Sequence, residues 1–313
     1  MKIGIVGAGA WGSGLAIALC EKHRVTLWAR DGASAAAIGA ERCNTRYLPG
    51  VPIPEGVLVR PGSGANFGEQ DMLLVATPTA ALREVLEKVR AAKFAGPVIW
   101  ACKGFEQASA KLPHEVAAEV LGARAPSGAL SGPSFALEVA RGLPAALTLA
   151  ARDADFAKRI ARELHQPTLR VYYSTDVVGV ELSGAVKNVM AIAAGISDGL
   201  GLGLNARAAL ITRGLAELAR LGTAVGGKAE RLGGDAIEVE VGEGAGADEE
   251  DVGGVDLDEV VLVPVLRDVA HDRGFRIPGA VCARPKRHQG RDGGRDTRRD
   301  AVHCGIRQRD AGG

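Results

Sequence analysis

Through the first 175 residues, short apolar runs alternate with longer stretches of helical spacing. The runs "KIGIVG", "RVTLWA", "DMLLVAT", "PVIWAC", "PSGALSG" and "AALTLAA" read as strands, and "GSGLAIALCEKH" and "ALREVLEKVRAA" read as helices between them. Strand, helix, strand in this rhythm predicts a doubly wound, mostly parallel sheet with helices on both faces. From Val177 to Gly222 the pattern changes to two long helices, "VELSGAVKNVMAIAAGISDGL" and "NARAALITRGLAELARLG". The expected architecture is therefore α/β over residues 1–176, followed by an all-α second domain over 177–230.

Beyond that point the periodicity is lost. Between Leu232 and Leu266 there are eleven Asp or Glu and no Lys or Arg, in a glycine-rich background. The stretch 279–313 then carries eight arginines with almost no apolar periodicity. Acidic and basic blocks of this kind usually stay solvated or disordered, so 231–313 is expected to be an atypical tail.

Composition narrows the class. The chain has 313 residues, is 47% hydrophobic and has a formal charge of +1, which allows a sizeable core and gives no charge excess for nucleic acid. Cys20, Cys43, Cys102, Cys282 and Cys304 form no CxxC pair, and five thiols leave one over in any full pairing, as suits a reducing cytosol. The N-terminus "MKIGIVGAGAWG" lacks the form of a signal peptide, and no stretch approaches the ~18 uninterrupted apolar residues of a membrane span. A cytoplasmic protein without membrane insertion is expected.

"GIVGAGAWGSGLA" contains G-x-G-x-x-G at Gly7, Gly9 and Gly12. With 43 glycines the pattern alone is weak, but here it follows a strand and opens a helix, the context of a dinucleotide-binding turn. Gly7 permits the tight turn, Gly9 lets backbone approach a pyrophosphate, and Gly12 allows close helix packing, with helix N–H donors facing the phosphates. The bland alternative is a glycine turn without a ligand. At the end of "VTLWAR", where an acidic residue would bind the ribose 2′-OH of NAD, stands Arg30, followed by Asp31. Arg can pair with a 2′-phosphate, so NADP fits, while the adjacent Asp31 keeps NAD open. The alternative for Arg30 is a solvated loop residue.

With these residues in place, the chain resembles the bacterial NAD(P)-dependent glycerol-3-phosphate dehydrogenases. The resemblance rests on "GAGAWGSGLA", "VTLWAR", "NTRYLPG", "ATPTAALREVL", "ACKGFE", "LSGPSFALEVARGLPAALTLA" and "ELSGAVKNVMAIAAGISDGLGLGLNARAALITRGLAE", collinear from Met1 to about Lys228. It implies a Rossmann-type domain, NAD or NADP as cofactor, no metal, and reversible reduction of dihydroxyacetone phosphate to sn-glycerol 3-phosphate for glycerophospholipid synthesis. The phosphorylated small molecule is the implied partner, and a homodimer stays open. The resemblance further implies that Ala10, Trp11 and Arg30 contact the cofactor and that Lys103 faces both cofactor and substrate. Gly132 and Ser134 would line the substrate site, Ala136 would lie beside the cofactor, and Lys187 would be the catalytic acid/base.

The residues themselves support part of this. Lys103 follows the strand "PVIWAC", at the carboxyl end where doubly wound sheets bind ligands, and can serve as a point charge for a phosphate or an oxyanion. It can equally be a surface lysine at a strand end. "SGPSFA" is a turn that can offer N–H groups to an anion, or simply a tight turn before a helix. Around Lys187, Leu182, Ala185 or Val186, Val189 and Ile192 or Ala193 define an apolar helix face, with Lys187 and Asn188 between. A lysine desolvated there would have its pKa lowered toward neutrality, suiting proton transfer. Periodicity alone favours the plainer reading, a stem packed on small residues with its ammonium in water; the resemblance reverses that order. Asn205 is expected to cap the next helix, and Glu181 and Glu217 to be structural helix charges.

The resemblance stops after "LGTAVGGKAE". The family continues there with a turn ending in Gly-Asp-Leu and a loop carrying Ser-Arg-Asn, which binds the substrate phosphate and hydroxyls; this chain reads "RLGGDAIEVEVGEGAGADEEDVGGVDLDE". Carboxylates would repel a phosphate, by roughly 1–4 kcal/mol for each close pair at surface-like dielectric. Either the gene is read out of frame after about Glu230, which the abruptness of the change favours, or the tail is a real divergence. Two other functions remain in view: a related two-domain dehydrogenase of another small hydroxy compound, and a dinucleotide-binding chain without catalysis.

Overall fold

The computed structural model describes residues 1–62 and 66–227. The atypical segment expected over 231–313, with Cys282 and Cys304, lies outside the described residues.

The chain opens with β1 (Lys2–Val6), α1 (Ala10–Leu19), β2 (Arg24–Ala29) and α2 (Gly32–Glu41). A small ribbon of β3 (Cys43–Asn44) and β4 (Leu48–Pro52) precedes β5 (Val57–Pro61). Then come β6 (Met72–Val75), α3 (Leu82–Ala91), β7 (Val98–Trp100), α4 (Pro113–Leu121) and β8 (Ser127–Ser131). The short α5 (Ala136–Ala140), β9 (Ala145–Ala150), α6 (Ala154–Leu164) and β10 (Leu169–Ser174) follow. Two long helices, α7 (Val177–Gly199) and α8 (Gly203–Ala224), end the described chain.

Eight strands form one sheet in the order β10-β9-β8-β7-β6-β1-β2-β5. All neighbours pair in parallel except β8 with β9. The reversal has a local cause. A five-residue helix such as α5 rises only about 7 Å, too little to carry the chain back along the sheet for another parallel pairing. Strands β3, β4, β5 and β10 and helices α2, α4, α5 and α6 have no counterpart among the strands and helices read from the sequence; the six predicted strands all form.

Each central strand is buried on both faces, so its apolar run is continuous and alternate residues divide between two cores. Met72 and Leu74 of β6 meet α1, α2, α5 and α6 side chains on one face, while Leu73 and Val75 meet α3 and α4 on the other. Helix α3 shows how the period is met: Leu82, Val85, Leu86 and Val89 are buried, and the Glu84–Lys88 pair lies outside.

Helix α7 starts on Asp176, whose carboxylate accepts the Gly179 N–H at 2.9 Å. Its buried stripe holds Leu182 and Val186 against Leu218 of α8, with Phe105 and Met190 alongside. Gly214 gives Met190 its seat, since a Cβ there would collide with the methionine sulfur. The apolar face expected from the sequence stops short: Ile192 is 66% exposed, and Ile196 further along α7 and Leu200 at its end are exposed too. Asn205 is also misplaced by the sequence reading. Helix α8 begins at Gly203 with Leu202 at its N-cap, so Asn205 sits inside the first turn. By length and composition α7 could cross a membrane, contrary to the expectation that no stretch comes close. Core helices of globular proteins share that length and composition, and about a third of the most apolar stretch of α7 is buried against the rest of the chain.

Candidate active site

The sheet order reverses its direction of growth at β1, between β2 and β6. The carboxyl ends of β1 and β6 therefore bound a crevice of the kind in which open α/β sheets bind ligands. The glycine turn forms one wall. Gly7 has φ +111°, and a Cβ on it would meet the Ala76 carbonyl oxygen at 2.9 Å. A Cβ on Gly12 would run into the Gly7 carbonyl, and one on Gly14 would meet the Ala136 carbonyl at 2.9 Å. A Cβ on Gly9, by contrast, would project into open space, with nothing within 4 Å. These contacts match the division of labour of a dinucleotide turn: two glycines set packing and one leaves backbone open to a ligand. On the opposite wall the Thr77 hydroxyl is buried with no hydrogen-bond partner among the described residues. Open backbone, a helix N-terminus at Ala10 and an unpartnered hydroxyl together fit a pyrophosphate-bearing group.

Ala10 and Trp11 open α1 beside this turn, and Ala136 opens α5, which packs on α1. Arg30 lies exposed at the end of β2. Asp31 caps α2, its two oxygens accepting from the Ser34 N–H at 2.8 Å and from the Ser34 hydroxyl at 3.0 Å. Those bonds, with the Arg30 charge nearby, hold the Asp31 carboxyl below the usual range. The carboxylate considered from sequence as a ribose ligand is thus already engaged, whereas Arg30 faces solvent.

Because the atom facing Gly12 is backbone, it cannot swing aside, so Gly12→Ala should cost about 1–3 kcal/mol of stability and weaken dinucleotide binding. Thermal melting and cofactor fluorescence titration measure the two effects; an unchanged melting temperature would refute the packing argument.

The second cluster lies along the sheet, after β7 and β8. Adjacent strands stand about 4.8 Å apart, which puts the β7 end roughly 10 Å from the glycine turn. Lys187 Nζ donates to the Gly132 carbonyl oxygen at 2.9 Å, and Lys103 Nζ reaches the same oxygen at 3.2 Å. The Ser134 hydroxyl stands 3.5 Å from it. Gly132 must be glycine for steric reasons, as a Cβ would lie 2.5 Å from the Ala146 carbonyl. Gly184, one turn before Lys187, lets α7 settle on Ser131 and on the Lys103 stem. Burial, and then the neighbouring Lys187 ammonium, pushes the Lys103 amine down to about 8. The depression considered from sequence at Lys187 is found instead on its neighbour Lys103.

The loop after Lys103 is pinned from outside the motifs' own reach. Thr79 Oγ1 donates to the Lys103 carbonyl at 2.8 Å. Arg83 makes a two-pronged contact with Glu106, 2.8 Å on each arm, and a third with Glu119 at 2.9 Å. The guanidinium holds the Glu106 carboxyl down to about 2. On the other side, Asn44 Nδ2 donates to the Ala8 carbonyl at 3.0 Å and to Ser13 Oγ at 2.8 Å, bracing the glycine turn from the β3–β4 ribbon. These bracing residues sit inside quoted motifs, yet nothing in the spacing announced their partners.

Ala10 and Trp11 thus open the helix at the glycine turn, Ala136 lies where α5 packs on α1 and Arg30 follows the neighbouring strand β2, while Lys103, Ser134 and Lys187 surround the Gly132 oxygen. The model of the NAD-dependent glycerol-3-phosphate dehydrogenase N-terminus matches residues 2–157, and that of the same family's C-terminus matches residues 176–237. The glycerol-3-phosphate dehydrogenase (NAD(P)+) of Nitrosospira multiformis is 54% identical over 234 residues, covering 74% of this chain and 70% of the relative. That of Aromatoleum aromaticum is 54% identical over 232 residues, covering 74% and 71%. Among solved structures, glycerol-3-phosphate dehydrogenase from Coxiella burnetii aligns with a TM-score of 0.70 at 43% identity, covering 75% of this chain and 72% of that one.

Proposed function

The chain belongs to the NAD-dependent glycerol-3-phosphate dehydrogenase family, and from that premise we propose that it interconverts dihydroxyacetone phosphate and sn-glycerol 3-phosphate, with Lys187 as its acid/base. The observation that carries the reading is the convergence of the Lys187 and Lys103 amines on a single carbonyl oxygen. A ketone oxygen presented at the same place would meet the same two donors.

Gly7, Gly9, Ala10, Trp11 and Gly12 would hold the dinucleotide at the turn, with Arg30 toward its adenosine end and Lys103 and Ala136 toward its nicotinamide end. When bound, NAD(P)H supplies a hydride to carbon 2 of the substrate. Lys187 delivers the proton to the oxygen of that carbon, and in the reverse direction takes it back. Lys103 supplies positive charge against the developing alkoxide. Gly132 and Ser134 line the substrate's other side. The division into a dinucleotide domain (1–176) and a helical substrate domain (177–230) is part of the same proposal. So are a cytoplasmic location, a role in glycerophospholipid supply, a homodimeric state, and the absence of nucleic-acid or membrane partners.

The test is steady-state turnover of dihydroxyacetone phosphate against unphosphorylated dihydroxyacetone; equal use of both would refute the substrate assignment. Cofactor choice has its own test. Arg30→Ser should weaken NADPH about tenfold, the scale of one charged contact, and leave NADH little changed. Equal losses for both cofactors would remove Arg30 from 2′-phosphate recognition.

A further inference from the structure

Two elements that carry the lysines meet, together with a third, at one buried carboxylate. Glu181 of α7 is 5% exposed. Its Oε1 accepts the Trp100 indole N–H at 2.7 Å, and its Oε2 lies 2.6 Å from His114 Nδ1. Trp100 is the last residue of β7, three residues before Lys103. Glu181 lies six residues before Lys187 on α7, a rise of about 9 Å along one rigid helix. His114 belongs to α4, which carries no site residue.

A carboxylate is a costly way to fill buried space, and an apolar side chain of similar volume is often as stable or more so. What it adds over an apolar residue is direction. The indole bond closes a circuit that runs from Lys103 back to Trp100, across to Glu181, along α7 to Lys187, and through the Gly132 oxygen to Lys103 again. We propose that Glu181 is a positioning residue which, through the Trp100 N–H, holds the strand end bearing Lys103 and the helix bearing Lys187 in the register where both amines reach one oxygen. This rests on the reading of Lys103 and Lys187 as site lysines; Glu181 itself touches neither substrate nor cofactor.

The two arms of the carboxylate supply the control. Trp100→Phe deletes the N–H while keeping an aromatic ring in the core, cutting the tie to β7. His114→Leu cuts the tie to α4 alone. The titratable groups facing Glu181 are His114 and the Cys102 thiol, and the charged group facing the Lys103 amine is Lys187.

The experiment uses the full chain and reads the pH dependence of Lys103 acetylation by trace acetic anhydride with mass spectrometry. The wild-type midpoint is expected at about 8. In Trp100→Phe the two ammonium groups part, and the midpoint should rise by about one unit toward the ordinary lysine value near 10.4. Glu181→Leu, which removes both ties with an apolar residue of similar size, should move it as far. Glu181→Gln, which keeps an acceptor for the indole, and His114→Leu should leave it in place. In turnover, Trp100→Phe should lower kcat about ten- to a hundredfold with cofactor Kd unchanged, the scale of an ångström-level misplacement. An unmoved midpoint in Trp100→Phe and Glu181→Leu, or an equal shift in His114→Leu, overturns the proposal. If Lys187→Ala loses turnover while the midpoint stays fixed in Trp100→Phe, only this inference fails. If Lys187→Ala keeps full turnover, the lysine reading fails and takes the inference with it.

Discussion

Replacing Lys187 with alanine is expected to lower kcat for dihydroxyacetone phosphate by about 10²- to 10⁴-fold, the range for loss of a positioned proton donor. The cofactor Kd should stay within about threefold, because the Lys187 amine lies at Gly132, just after β8, and the glycine turn sits after β1, three strands away in the sheet. The size of the effect follows from the site. A forming alkoxide needs a proton at the moment the hydride arrives, and water is a poor donor in a half-buried crevice. Lys187→Arg should not rescue the loss, since a guanidinium holds its proton at any pH the enzyme meets. Lys103→Ala should cost less, because it removes charge stabilisation and leaves the proton path in place. It should also raise the pH at which activity falls. In the wild type, the Lys103 ammonium carries its charge below about 8 and loses it above, so an alkaline decline that begins near 8 is expected to disappear in the variant. A stopped-flow measurement of NADH consumption across pH 6 to 10 reads both effects. A Lys187→Ala enzyme with wild-type kcat would refute the acid/base assignment outright.

How much of the fold and the site is legible in the sequence depends on the range of each signal. The glycine turn was legible because its three glycines serve backbone contacts made within one strand-turn-helix unit, as at Gly12 against Gly7. The strands β1, β6 and β7 were legible because both faces are buried, leaving uninterrupted apolar runs. Strand β5 escaped notice because it is a sheet edge with Leu58, Arg60 and Pro61 outside the core. Lys187 stood out as a charge inside an apolar helix, but periodicity could say only that it was anomalous. Its hydrogen-bond partner in the fold is Gly132, 55 residues earlier, and no local pattern links the two. Glu181 shows the converse. It looked like an ordinary helix charge because its partners, Trp100 and His114, are 81 and 67 residues away. Arg83 and Glu106 escaped notice for the same reason, and so did the cap bond from Ser34 to the Asp31 carboxylate.

The largest expected effect on the whole chain concerns the residues after the described structure. The family's C-terminal match ends at residue 237, and the Nitrosospira multiformis relative is matched over 70% of its own length. The lysine pair can meet a carbonyl oxygen, but the described residues bring no arginine to it: the charged groups at that oxygen are Lys103 and Lys187. The resemblance places the phosphate-binding Ser-Arg-Asn loop after residue 230, where this sequence has eleven carboxylates and no cation between Leu232 and Leu266. Two hydrogen bonds to a phosphate dianion at about 1.5–3 kcal/mol each correspond to roughly 10²- to 10⁴-fold in kcat/KM. A chimera joining residues 1–227 to the corresponding C-terminal part of the Nitrosospira multiformis relative should therefore exceed the natural chain by that factor on dihydroxyacetone phosphate. The gain should fall almost wholly away with unphosphorylated dihydroxyacetone, because the restored contacts address the phosphate. Cofactor binding at the glycine turn should be much less affected, because Gly7, Gly9 and Gly12 are complete without the tail. Equal kcat/KM in the two proteins would mean that the acidic segment, despite its charge, supports phosphate binding, and would favour true divergence. A gain of the expected size, with Ser-Arg-Asn found in another reading frame of the same DNA, would identify the segment as a frameshift product attached to an intact Lys103–Lys187 pair.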